Sequence, residues 1–424
     1  MIRALLSSLL LLAVAACDKP VGEGEGEGEG EGEGEGEGEP GEGDDLVGPD
    51  SDVTVNDGVE PCDHPNLWPY SVVSTKRPMR VHFRKSDELA VARTLVGHLD
   101  EAWAVEVDTL GMPPPYTDEF GPTSFACGQD GRIDVFMIKG LEAAFVDVIA
   151  SIEDTPIDDY SPYMVIDPFG VYSGDYLRPT TFHEFHHMTQ AVLDWSDATN
   201  VYEMSATFVE EAVADDHDWE FTLEDLVAHP DWSIDRDDEY ETNFMYAHAL
   251  YLIFLQHHFF DGDISFFVDM WKGLAGEPDY QDSLNVLLAP HGTTFAQTVP
   301  RYARWLAYMG VDDDMHFPRG SFYPAIPRRS VDSGTVTVSP MMLGSAYLEL
   351  QTTALVSLVG DVPAGYAVVV QQVPGASADG DVLQLPVAVN AGKTLVVTVV
   401  PVGDYDINDH RDDATFDVRL RFTP

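Results

Sequence analysis

The stretch Thr180–Gln190 reads Thr-Thr-Phe-His-Glu-Phe-His-His-Met-Thr-Gln, with three histidines and a glutamate between positions 183 and 187. It constrains the fold more than any other part of the chain. Its apolar neighbours, Phe182, Phe185, Met188, Ala191, Val192 and Leu193, ask for burial. Burying that much titratable density without an ion or a partner is costly. On an α-helix His183 and His187 stand one turn apart on one face, so both imidazoles can reach one cation. Glu184 then sits where its carboxylate can take a proton from a water activated beside that cation. The pattern predicts a buried helix over Thr180–Trp195 carrying two metal ligands and a base. His186 falls off the ligand face and is expected to support the site or to be partly exposed. The competing reading is a core helix with satisfied histidines.

A third protein ligand must come from another element. Fifteen residues lie between His187 and Glu203, which falls in a second helical pattern, Val201–Asp216. Glu210 follows two turns later on the same face. Either glutamate could be the ligand, with the other supporting it. The segment Glu203-Met204-Ser205-Ala206-Thr207-Phe208-Val209-Glu210, together with the histidine motif, resembles the gluzincin metalloproteases. In their aminopeptidase-like members the ligand glutamate is followed three residues later by alanine, then by an aromatic-Val-Glu segment. More closely, Met79 to Phe422 is similar to a set of exported bacterial metalloproteases. These share a helix ending Leu-Gly, an Asp-Val-Phe strand, the two motif helices and a C-terminal β-domain.

The resemblance implies zinc held by His183, His187 and Glu203, with Glu184 as general base and a polypeptide as substrate. It also implies that one of the strands before the motif helix forms the cleft edge, and that a downstream Tyr or His stabilises the oxyanion. Tyr246 and His248 are the named candidates, with Tyr251 on the same stretch. Two departures stand out. Met204 occupies a position where glycine is usual. Thr207 stands where thermolysin-like enzymes place an aspartate that orients the first histidine, a task Glu210 would take over.

Around these helices the chain has an α+β order. Met79–Arg84, Gly131–Ile138, Ala143–Ile152 and Pro162–Phe169 read as strands, and Asp87–Gly111 as a helix ending on glycine. Asn243–Phe260 and Ile264–Leu274 read as further helices. After Phe322 short β-type runs alternate with Gly, Pro, Asp and Asn. The expected fold class is an α+β zincin-like catalytic domain over 62–322, followed by an all-β sandwich domain over 323–424.

The first residues, Met-Ile-Arg-Ala-Leu-Leu-Ser-Ser-Leu-Leu-Leu-Leu-Ala-Val-Ala-Ala-Cys, read as a lipoprotein signal peptide, 1–17, with Cys17 as the lipid-modified residue. An ordinary secretory signal is the competing reading; both imply export. Residues 18–61 contain a Gly-Glu repeat with nothing apolar to bury, expected to be a disordered tether. Once Cys17 is set apart, Cys62 and Cys127 remain as an even pair, so a disulfide between them is expected in an oxidising compartment. The expected location is therefore the bacterial cell envelope or surface, with the lipid in the membrane.

The net charge of −52 repels phosphate backbones, so nucleic acid is not an expected partner. It suits cationic substrates, divalent metals or salty surroundings. The acid-dense Asp231–Asn243 could hold Ca²⁺, but its spacing matches no EF-hand loop, and a solvated loop is the simpler reading. Two functional alternatives remain beside the zinc peptidase. One is a cell-surface adhesin or binding protein with a structural or vestigial zinc site. The other is a zinc amidase acting on a cell-wall substrate. Composition gives no oligomeric state.

Overall fold

Strand-forming runs from the first part of the chain join into one six-stranded sheet in the computed structural model. The strands are β1 (Val53–Val55), β2 (Tyr70–Val73), β3 (Met79–Phe83), β4 (Ile133–Met137), β5 (Ala144–Ser151) and β6 (Tyr160–Ile166). Their order across the sheet is β1-β2-β3-β4-β6-β5. β3, β4 and β6 run parallel in the middle, and β5 pairs antiparallel with β6 at one edge. Parallel centres are covered on both faces, and every residue of β3 and β4 is accordingly buried. The structure describes residues 52–55, 67–120, 130–152, 155–170, 172–195, 199–212, 222–236, 242–275, 279–311, 315–374, 381–402 and 415–424. These all belong to one of the two compact units into which the chain divides, Val47–Pro424. Cys17, Cys62, Cys127 and the Gly-Glu repeat lie outside the described residues. Among the described residues no helix is long and apolar enough to cross a membrane.

Helix α1 (Leu89–Trp103) links β3 to β4 and buries Leu89, Ala92, Leu95, Leu99 and Ala102, a stripe at helical spacing. It runs on as a π-helical segment, Ala104–Leu110, which ends on Gly111 in the left-handed region at φ 86°. Glycine takes that conformation without a Cβ penalty. Helix α2 (Leu177–Gln190) follows β6, and α3 (Thr199–Ala212) follows α2. α2 begins three residues before the expected Thr180, with Pro179 in its first turn, where a missing N–H costs nothing.

The middle of the chain is helical: α4 (Leu223–Ala228), α5 (Phe244–Ala247), α6 (Ala249–His258), α7 (Ser265–Leu274), α8 (Tyr280–Leu288) and α9 (Phe295–Leu306). The helix expected over Asn243–Phe260 is thus divided at His248.

The C-terminal β-strands form two further sheets. One has the order β13-β10-β15-β8, the other β12-β11-β14-β9-β7. Their ranges are β7 (Arg329–Val331), β8 (Gly334–Val338), β9 (Ser345–Leu350), β10 (Ala354–Leu358), β11 (Tyr366–Val373), β12 (Asp381–Val382), β13 (Val387–Val389), β14 (Thr394–Pro401) and β15 (Val418–Thr423). Val356, Leu420 and Phe422 of one sheet share a core with Leu348, Val370, Leu395 and Val397 of the other. Helix α9 covers the five-stranded sheet: Tyr347 donates to the Ala303 carbonyl at 2.8 Å, and Arg328 to that of Ala307 at 2.7 Å. β14 is therefore buried on both faces, which explains why only Thr398 interrupts its apolar run Leu-Val-Val-Thr-Val-Val.

A second attachment joins the approach to β9 with the segment after α4. The Met341 amide donates to the Asp231 carbonyl at 2.8 Å, and the Ser345 amide to that of Pro230 at 2.9 Å. Gly344 makes this approach possible, since a Cβ there would lie 2.2 Å from the Asp231 carbonyl oxygen. Trp232, beside that contact, packs edge-on against Phe244 at the start of α5.

Candidate metal centre

Helix α2 is buried around nearly its whole circumference, from Thr181 to Gln190. Its histidines therefore need partners, and two faces supply them. On one face, the ligand atoms of His183, His187 and Glu203 all lie within 4.8 Å of one another. The two imidazoles meet edge to face with centroids 4.8 Å apart. Glu203 comes from α3; its Oε2 is 3.1 Å from His183 Nε2 and 3.5 Å from His187 Nε2. Glu210, two turns further along α3, binds the other ring nitrogen, Nδ1 of His183, at 2.5 Å. The two glutamates thus divide the work: Glu203 faces both histidines, and Glu210 holds the back of one.

A carboxylate only accepts, so His183 Nδ1 carries the hydrogen toward Glu210. The His183 Nε2 lone pair then points at Glu203 Oε2, and two electron pairs face each other unless a cation or proton lies between them. Two imidazole nitrogens and one carboxylate oxygen make a donor set that suits a divalent metal ion with one position left for water or substrate. The same groups shift one another's protonation. Burial would raise Glu203, but the charges and hydrogen bonds of His187 and His183 hold it well below the usual carboxylate range. Burial would depress His183, but Glu203 and Glu210 lift it well above the usual range.

Glu184 is buried beside this group, and its Oε2 has no hydrogen-bond partner among the described residues. Burial pushes its carboxyl up to about 7, against the pull of His183 and His187. Among the described residues, His183, His187 and Glu203 are the one such group of His, Cys, Asp or Glu side chains able to share an ion. Compared with known proteins, the chain matches no family model and no curated protein. The side chains themselves therefore carry the functional reading.

Of the candidate oxyanion donors, Tyr246 lies beside the centre, its ring 6.0 Å from that of His183. His248 is buried against Phe244 and Tyr302, with Nδ1 3.2 Å from the Tyr302 hydroxyl. Burial depresses it to about 3, so it is a neutral core imidazole at ordinary pH. Tyr251 is fully buried and bonded to Thr298 at 2.7 Å.

His186 points away from the ligand face and is not exposed. Its Nδ1 lies 2.8 Å from Glu106 Oε2 on the π-helical segment, and both side chains are fully buried. Burial pushes Glu106 up and His186 down, so both favour their neutral forms. Asp235, in the acid-dense stretch, accepts from Tyr280 and, at 2.8 Å, from Gln281; its carboxylate is occupied within the protein. Residues 237–241 of that stretch lie outside the described residues.

Two residues absent from the sequence reading belong to the centre. Tyr172 is half-buried, and after burial the charges of Glu184 and Glu210 push its phenol up, which puts it within electrostatic reach of both. No motif marks a tyrosine in that position. Gln190, at i+3 from His187, binds His187 Nδ1 through Oε1 at 2.7 Å. The i,i+3 spacing is a visible signal, but one shared with many side-chain pairs of no consequence.

Proposed function

We propose that this chain is an exported zinc metallopeptidase, held at the cell envelope by a lipid on Cys17. The observation that carries the proposal is the convergence of His183, His187 and Glu203 with Glu184 buried alongside, one carboxylate oxygen uncommitted. Zinc bound there would polarise the scissile carbonyl and make a water molecule acidic near neutral pH. Glu184 takes the proton from the attacking water and delivers it to the departing amine; its raised carboxyl suits two-way exchange near pH 7. Glu210 keeps the His183 ring oriented. Tyr246 offers a phenol to the developing oxyanion, and Tyr172, within electrostatic reach of Glu184 and Glu210, is the second phenol near the centre. Among the described residues β5 pairs through one side only, with β6, and its far edge suits an extended peptide as an added strand. That edge favours a polypeptide over a cell-wall amide.

The deciding experiment measures metal content by mass spectrometry and hydrolysis of quenched casein, for wild type and Glu184→Gln. One zinc in both with activity only in wild type is the expected result. Equal activity in Glu184→Gln would remove the general-base mechanism. Zinc in both without activity in either would shift the reading to a binding protein or to a non-protein amide.

A further inference from the structure

The two histidine ligands are held from behind by different chemistry. His183 has the Glu210 carboxylate. His187 has a neutral amide, and the identity of that amide's ends can be deduced. The Gln190 side-chain nitrogen lies 3.2 Å from the Tyr202 backbone carbonyl and 2.8 Å from Ser205 Oγ. A carbonyl only accepts, so the atom facing it must be the NH₂ group. Ser205 agrees, because its own hydrogen goes to a backbone carbonyl, Val201 at 2.7 Å or Tyr202 at 3.1 Å. Its lone pairs are left to accept from Gln190. The Gln190 oxygen therefore faces His187 Nδ1, at 2.7 Å, and it too can only accept. Nδ1 must carry the hydrogen, which leaves the lone pair on Nε2, the atom turned to Glu203.

Gln190 also spans the two helices that supply the ligands. Its oxygen serves α2, while its NH₂ reaches Tyr202 and Ser205, the residues flanking Glu203 and Met204 on α3. Gln190 and Ser205 are fully buried, so water does not substitute for either bond.

We propose that Gln190 is a positioning residue that presets His187 as its Nδ1–H tautomer and ties α2 to α3, and that the metal affinity of the centre depends on it. This rests on the reading of the centre as a metal site. Losing such a support lowers metal affinity by about 10–100-fold in other sites.

The test measures zinc affinity by competition with a chromophoric chelator, and the visible spectrum of the cobalt-loaded protein. It compares wild type, Gln190→Leu and Ser205→Ala, with circular dichroism to confirm folding. Gln190→Leu is expected to bind zinc about 10–100-fold more weakly, with an altered cobalt spectrum. Ser205→Ala keeps the Tyr202 carbonyl as acceptor and should lose less. A purely structural role would lower the unfolding midpoint while leaving affinity and spectrum unchanged, which would overturn the inference. If Gln190→Leu does not fold, Ser205→Ala decides, and an unchanged zinc affinity overturns the proposal. A wild type that binds no metal would end both readings; a wild type that binds one equivalent, matched by the variants, would end this one alone.

Discussion

At the scale of single residues, burial decides what each histidine can be. His183 and His187 keep a nitrogen turned toward a carboxylate they share, while His248 is enclosed by Phe244 and Tyr302. Its folded-state pKa of about 3 lies below its ordinary value of 6.5. The unfolded chain therefore binds a proton there that the folded chain does not, between roughly pH 6.5 and pH 3. Stability linked to His248 is present above that window and is lost as pH falls through it. Replacing the imidazole by a ring that cannot titrate should remove this part of the acid limb. His248→Phe is expected to flatten the decline in urea midpoint between pH 7 and pH 4. A decline as steep as that of wild type would assign the limb to other groups.

At the scale of elements, the motif helices were legible because their pattern is chemical as well as apolar. Two histidines at i,i+4 mark positions that helical geometry alone brings to one face, and the glutamate sixteen residues after the second falls in the next helical pattern. The boundaries were less legible: α2 starts early because proline fits a first turn, and it stops at Gln190, followed by a turn. The single helix read over Asn243–Phe260 is divided at His248, a change of backbone bonding that the spacing of apolar residues does not mark. β2 has four residues, too few to show alternation, and α9 has Pro300 inside its apolar stripe, which masked it. Glu210 apart, the supports around the centre were illegible for another reason. Glu106 is eighty positions from His186, and a π-helical segment aims it inward. Gln190 acts only through Tyr202 and Ser205 on a different helix. Such roles arise from packing, which spacing does not encode.

At the scale of the whole molecule, two contacts among the described residues attach the C-terminal sheets to the helical region. One is α9 against the five-stranded sheet. The other is the meeting of Met341–Ser345 with Pro230–Asp231. Gly344→Ala would set a methyl group against the Asp231 carbonyl. It is expected to cost about 1–3 kcal/mol, read as a lower urea midpoint. An unchanged midpoint would mean that the two segments part without penalty. The proposed anchor is tested on the full-length chain as well. Wild type should partition into detergent on phase separation and Cys17→Ser into water; a wild type that stays in water would remove the lipid.

The place of β15 bears on the order in which the molecule can assemble. β15 lies between β10 and β8, so those two strands bond to it and not to each other. β9 has β7 on one side but must wait for β14 on the other. A chain emerging from its N-terminal side therefore carries these open edges until much later strands arrive, and open edges invite pairing with other chains. The segment that Gly344 admits leads into Trp232, which packs on Phe244, two residues before Tyr246. A chain of contacts therefore runs from the C-terminal sheets, whose edges are completed last, to the tyrosine beside the histidine centre.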